Sequence, residues 1–163
     1  MKKLILICGP AGIGKSTFSK RYIESHPDEN PIIISADDTR KAICGGYDKF
    51  PPQGNMLIVY DAMIRKAKKL AKANENITIL MDTTSLTDRR RLYYAKRLQE
   101  YFDVMEIKML RLHDYSTCLK RNATRPKERL VPEAVIKDMI EHYEECGEEV
   151  QALFASIEDI YMD

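Results

Sequence analysis

The segment Gly9-Pro10-Ala11-Gly12-Ile13-Gly14-Lys15-Ser16-Thr17 constrains this chain more than any other. It fills every fixed position of the phosphate-binding loop G-x-x-x-x-G-K-[ST]. Leu4-Ile5-Leu6-Ile7-Cys8 before it is a continuous apolar run of the kind a fully buried parallel strand shows. Ser16 to Ser25 after it lacks Gly and Pro and predicts a helix. A strand that turns through glycines into a helix N-terminus makes a nest of backbone N–H groups backed by the positive end of a helix dipole, which suits a polyphosphate. Gly9, Gly12, Ile13, Gly14, Lys15, Ser16 and Thr17 are therefore the candidate nucleotide-binding residues. Lys15 is placed to reach the β- and γ-phosphates, and the Ser16 hydroxyl to ligate Mg²⁺.

The remaining chain predicts strands that alternate with helices. Pro31–Ser35 reads as a second buried strand, with a short helix from about Asp38 to Cys44 stopped by Gly45-Gly46. Residues 47–54 read as an irregular loop, Met56–Ala73 as a long helix, and Ile77–Met81 as a third strand. Thr87 suits the N-cap of a helix through about Phe102. A fourth strand lies within 103–112, and its mixed outward face suggests shallower burial. Asp114 suits the cap of a helix from Tyr115 to about Thr124. Pro132 suits the start of another, to about Cys146, and the tail reads as a short helix and a weak final strand. The fold class is α/β, a mainly parallel sheet flanked by helices on both faces, in a single domain over 1–163. Ligands of such sheets bind at the carboxyl ends of the strands, which gathers Gly9–Ser16, Asp37-Asp38 and Asp82-Thr83 at one crevice.

Composition narrows the class by exclusion. No apolar run approaches a membrane span, and the first strand is too short for a signal-peptide core, so a cytoplasmic protein is expected. Cys8, Cys44, Cys118 and Cys146 lack metal-ligand or disulfide-framework spacing. The net charge of +1 hides a division: residues 1–132 carry 25 Lys/Arg against 15 Asp/Glu, and residues 133–163 carry Lys137 alone against 10 acids. The basic part can attract an anionic substrate, nucleic acid included, or can be a solvated surface. The same two readings apply to Arg65, Lys66, Lys68, Lys69 and Lys72 on the long helix, where a solvated face is favoured.

Three chemistries compete for the loop. A GTPase wants an N-K-x-D-type segment, which is missing, and a motor ATPase usually ends a strand in Asp-Glu, whereas here Leu80-Met81-Asp82-Thr83 has no following Glu. A kinase needs a carboxylate to orient the acceptor hydroxyl and take its proton, and mobile cations to close on the γ-phosphate. Asp37-Asp38 supplies the first. Arg121 and Arg125, four apart at a helix end and followed by a loop able to hinge, supply the second.

Ser35-Ala36-Asp37-Asp38-Thr39-Arg40, then Ile79-Leu80-Met81-Asp82-Thr83-Thr84 with Asp88-Arg89-Arg90-Arg91, then Lys120-Arg121-Asn122 with Arg125, follow the loop in order. In this set the chain resembles the 5′-kinase domain of bacteriophage-type polynucleotide kinase. The resemblance implies the P-loop kinase fold with a short Arg-bearing lid over about 115–131, and transfer of the γ-phosphate of ATP to 5′-hydroxyl ends of DNA or RNA with Mg²⁺. It implies Asp37 as general base, Arg40 on the acceptor's neighbouring phosphate, and Lys15 and Ser16 on the donor phosphates and metal. It further implies Arg125, with Arg121 beside it, as the lid arginine. Asp82 is implied as an active-site carboxylate and Thr83 as a donor to the acceptor phosphate. The family commonly has Asp-Thr-Asn after the third strand, and this chain has Thr84 in the Asn position. Tyr47, Phe50, Tyr93 and Tyr94 are candidates for stacking on a terminal base, the loop residues Tyr47 and Phe50 foremost. Related folds phosphorylate small molecules, so a metabolite, nucleoside or sugar-nucleotide hydroxyl is the alternative acceptor. A nucleotide-binding regulatory module without catalysis is the third reading.

Overall fold

The computed structural model describes residues 1–163. Five strands, β1 (Lys2–Cys8), β2 (Pro31–Ser35), β3 (Ile77–Asp82), β4 (Val104–Arg111) and β5 (Ser156–Tyr161), form one sheet in the order β2-β3-β1-β4-β5. Every adjacent pair is parallel. β1 lies at the centre, bonded to β3 on one side and β4 on the other, which is why its sequence is apolar without alternation. Its side chains divide between two layers. Leu4, Leu6 and Cys8 join a core with α3 (Leu57–Ala73), α4 (Asp88–Leu98) and α7 (Glu148–Leu153). Ile5 and Ile7 join a second core on the opposite face, with α1 (Lys15–Ser25), α5 (Ser116–Ala123) and α6 (Glu133–Glu141). The expected architecture of a mainly parallel sheet covered on both faces is the observed one.

The details differ in three places. α2 spans Ala36–Cys44, and its N-cap is Ser35, whose Oγ accepts the Asp38 N–H at 3.2 Å; neither Asp37 nor Asp38 is spent on capping. The helix that opens at Pro132 stops at Glu141 and not near Cys146. Past that point the chain is drawn toward the sheet. The Tyr143 hydroxyl sits between the carbonyls of Cys8 (3.0 Å) and Leu110 (2.9 Å), and the Glu144 N–H donates to Leu86 O. β4 is an interior strand, because the tail forms β5 along its outer edge. Its half-buried Lys108 pairs with Glu158 of β5 at 3.0 Å. No helix is long and apolar enough to cross a membrane.

Glu29, in the turn before β2, ties three elements together. Its Oε1 accepts from the Tyr22 hydroxyl (2.7 Å) and the Thr78 hydroxyl (2.8 Å) and lies 3.1 Å from Lys3 Nζ. Partial burial raises the Glu29 pKa, and the bonds from Tyr22, Thr78 and Lys3 outweigh it, so the carboxyl titrates below its ordinary range. A depressed folded pKa adds stability above the unfolded pKa that is lost as pH falls through the folded one. Glu29→Gln should therefore cost stability in urea titrations at pH 7, and the cost should shrink as pH falls below the ordinary carboxylate range. A cost that does not change with pH would place the effect in shape and not in charge.

Candidate active site

The phosphate loop hangs between β1 and α1, and its glycines have specific work. Gly12 (φ +84°) lies where a Cβ would sit 2.6 Å from the Cys118 carbonyl oxygen, so the loop passes against α5 too closely for any side chain. Gly14 (φ +113°) is the left-handed N-cap of α1. Gly12→Ala is expected to raise the dissociation constant for ATP at least tenfold by displacing the loop, read by calorimetry; unchanged affinity would mean that α5 gives way.

The end of β1 is joined to the segment after β3, since Gly9 N–H donates to Thr84 O at 2.9 Å. Lys15 Nζ folds back on the loop, donating to Gly9 O (2.9 Å) and Pro10 O (3.0 Å). Burial lowers the Lys15 pKa, against the pull of the Asp82 and Asp37 charges. Ser16 Oγ donates to Asp82 Oδ2 at 3.2 Å. Burial raises the Asp82 pKa, the Lys15 charge and the Ser16 bond oppose this, and the Asp37 and Asp38 charges add to it. Three carboxylates and Lys15 thus share one field at the carboxyl end of the sheet.

A cavity of about 310 Å³ opens over this floor. Lys15, Ser16 and Thr17 line its base, and Arg21, Arg121, Arg125 and Met162 its walls. Arg121 is committed to the protein: its Nη1 donates to Ile13 O (2.8 Å) and its Nη2 to Met162 O (3.0 Å), so it braces the loop against the end of β5. Arg125 has no such partner, and its charge acts against that of Lys15. Four cations, Lys15, Arg21, Arg121 and Arg125, and no acid line this cavity, an arrangement a triphosphate relieves. Arg21, one turn beyond Thr17 on α1, is a wall residue that the loop motif does not include; its i+4 spacing was the available signal.

The segment 124–131 is pinned at its root by Asn122. Its Nδ2 donates to Val131 O (2.7 Å) and its Oδ1 accepts the Val131 N–H (3.0 Å), which closes the segment into a loop. Asn122→Ala leaves both Val131 groups without partners. It should loosen this loop without unfolding the sheet, seen as faster amide exchange confined to about 123–131. Exchange unchanged there would remove Asn122 from this role.

Across the crevice Asp37 stands on the first turn of α2, half exposed, 3.2 Å from Arg40 Nη2 and 4.0 Å from Arg129 Nη2. Arg129 comes from the loop after α5, and short-range sequence patterns give no hint of it. Arg40 is only 8% exposed. Its Nη1 donates to Tyr47 O (2.6 Å) and Lys49 O (2.8 Å), and its guanidinium lies 4.3 Å from the Phe50 ring centre. Arg40 thus builds the 47–50 loop and orients Asp37, leaving few donors for a phosphate. Tyr47 bonds Asp38 through its hydroxyl (2.6 Å), and its ring is flanked by Lys41 (4.5 Å) and Arg129 (4.2 Å). Phe50 is 63% exposed at the crevice edge.

Thr83 departs from its expected place: it is only 4% exposed, which leaves its hydroxyl little access to the crevice. Tyr94 is fully buried and unavailable for stacking, while Tyr93 packs at the junction of α3 and α4, its hydroxyl donating to Asp61.

Comparison with known proteins agrees with this fold. L-seryl-tRNA(Sec) kinase of Methanococcus maripaludis is 26% identical over 151 residues, which span 88% of this chain and 53% of that protein, so the chain spans about half of this relative's length. A gluconokinase from Sinorhizobium meliloti 1021 superposes with a TM-score of 0.65 at 15% identity, covering 99% of this chain and 83% of that one. A chain of the Pnkp1/Rnl/Hen1 RNA repair complex superposes with a TM-score of 0.71 at 20% identity, covering 94% and 46%. These likenesses show the P-loop kinase fold. The family model described as AAA domain matches residues 4–146, nearly the whole chain, and the protein belongs to that family.

Proposed function

We propose that the chain is an ATP-dependent phosphotransferase whose acceptor is the 5′-hydroxyl end of DNA or RNA. The observation that carries the reading is Asp37, set between the guanidinium groups of Arg40 and Arg129 beside the phosphate loop. In this mechanism the Asp37 carboxylate accepts a hydrogen bond from the acceptor hydroxyl, orients its oxygen toward the γ-phosphorus and takes its proton as the new P–O bond forms. The bond to the β-phosphate oxygen breaks, and ADP leaves. Lys15 exchanges the Gly9 and Pro10 carbonyls for phosphate oxygens, and Arg125 swings with the lid onto the charge that spreads over the γ-phosphoryl group. Ser16 and Asp82 present hard oxygen donors 3.2 Å apart, a set that fits Mg²⁺ directly or through its waters. When bound, that ion neutralises charge on the β- and γ-phosphates.

The cation density around Asp37 favours an acceptor that carries its own negative charge, as a nucleic-acid end does. A small-molecule hydroxyl is the second reading, supported by the gluconokinase that shares the fold over most of both chains. An acceptor panel decides between them. Labelled γ-phosphate is expected on 5′-hydroxyl DNA or RNA and on a 3′-mononucleotide; label only on a neutral metabolite overturns the reading, and no product from any acceptor points to a regulatory module. Arg125→Ala should lower kcat about 100-fold, with a small change in ATP affinity, because its interaction strengthens as charge develops. A loss confined to KM would make it a ground-state contact only.

A further inference from the structure

The charge division in the sequence has a definite place in the fold. α3 and α4 both start at the carboxyl edge of the sheet and pack side by side, with Tyr93 of α4 bonded to Asp61 of α3. That aspartate is the only acid on α3, which carries five Lys/Arg, and α4 carries five more against Asp88 alone. Arg65, Lys66, Lys69, Lys72 and Arg89 are exposed. None of them, nor Lys68, Arg90 or Arg97, is in an ion pair. Cations elsewhere are better served: Lys108 and Arg111 on β4 each contact two carboxylates.

Aromatic rings interleave with these charges. Arg90 lies 4.2 Å from the Tyr60 ring centre and 5.3 Å from that of Tyr93, and Arg97 lies 3.6 Å from Tyr93. Further along, Lys68 and Lys72 lie 5.1 and 5.4 Å from Tyr101, in the turn after α4. At 1.5 Å per residue the seam from Tyr60 to Lys72 is about 18 Å long. It leads away from the crevice in which Asp37 stands. Leu57 and Ile58 are exposed in the first turn of α3, but along the charged length from Val59 to Ala73 no large apolar side chain is, so that length lacks the apolar face of a membrane-binding helix. A line of unpaired cations interleaved with aromatic rings gives the positively charged groove that tracks a single-stranded phosphodiester backbone.

We propose that the α3–α4 seam is a track for single-stranded polynucleotide, holding the strand whose 5′ end enters the crevice at Asp37; the inference rests on the 5′-hydroxyl acceptor proposed above. The test compares wild type with the triple variant Arg65→Glu/Lys69→Glu/Lys72→Glu and with the milder Arg65→Gln/Lys69→Gln/Lys72→Gln, all at exposed positions. Binding of fluorescent 5′-hydroxyl 12-mers of DNA and RNA is measured by anisotropy across salt concentrations. Transfer is measured to the 12-mers and to a 3′-mononucleotide. For wild type the 12-mer KM should lie at least tenfold below that of the mononucleotide. The glutamate variant should lose that advantage, and the glutamine variant most of it, with KM for the mononucleotide and for ATP unchanged. The slope of log K against log salt should fall by about 2 for three lost phosphate contacts.

Variants that bind the 12-mer with wild-type affinity and salt slope overturn the track, and so does seam-dependent binding of phosphatidylserine vesicles with none of oligonucleotide. Transfer to 5′ ends with such unaffected variants leaves the acceptor reading standing and removes the track. Seam-dependent oligonucleotide binding without transfer to any 5′ end does the reverse.

Discussion

Asp37→Asn is expected to lower kcat by about 10²–10⁴-fold while leaving ATP affinity close to that of the native protein. A positioned general base contributes in that range, or roughly 3–5 kcal/mol of barrier. Asparagine keeps the shape of the side chain and its place on the first turn of α2, but it cannot accept the proton. The donor cavity, built from Lys15, Thr17, Arg121 and Arg125, does not include this position. Single-turnover kinetics with labelled ATP measures the chemical step, and calorimetry measures nucleotide binding. Asp37 also faces Arg40 and Arg129, so its loss leaves two guanidinium groups with less compensation. An anionic acceptor should therefore bind the variant at least as well as wild type, with the loss confined to turnover. Retained turnover would move the proton elsewhere, with Asp82 the next carboxylate, and a matching loss of ATP affinity would assign Asp37 to the donor side.

The second large effect concerns stability. Arg91 is fully buried, and its guanidinium donates to four oxygens: Ser85 O (3.0 Å), Leu86 O (3.0 Å), Glu144 O (2.7 Å) and Asp88 Oδ1 (2.9 Å). Asp88 in turn accepts the Gly147 N–H at 2.8 Å. One side chain thus clamps the segment after β3 to the segment after α6. Arg91→Met fills much of the space but leaves three carbonyls and a carboxylate short of donors. Breaking one side of a buried, hydrogen-bonded ion pair costs about 3–5 kcal/mol, which corresponds to a fall in Tm of roughly 10 °C for a chain of this size. Urea titration should show that loss. Nucleotide affinity should fall with it, because Thr84, whose carbonyl holds Gly9 N–H, lies in the clamped segment. A cost under about 1 kcal/mol would mean that water or rearranged backbone replaces the guanidinium.

These two residues also divide what was legible. Asp37 was readable because its evidence is local: an apolar strand, a cap, and two carboxylates at the strand end within one short segment. Arg91 was readable only as one of three consecutive basic residues. Nothing within its own helix distinguishes it from Arg89, which is exposed. What makes it a clamp is the chain returning 53 positions later to offer Glu144 O. Thr83 shows the same limit in reverse, since its sequence neighbour Asp82 reaches Ser16 of the phosphate loop while Thr83 itself is buried.

The phosphate loop, the central strand that feeds it, the parallel α/β class and the carboxylates at the strand ends are all written in the order of the residues. Each of these is a pattern of contiguous residues governed by backbone sterics and short-range periodicity. The packed fold is what spends Arg40 on the 47–50 loop, sets Arg121 to brace the phosphate loop while Arg125 stands free, and brings Arg129 to Asp37. Long flexible side chains carry those outcomes. Their partners are chosen by which unsatisfied carbonyls and carboxylates the fold brings within about 3–4 Å, and that choice exists only once distant segments have packed.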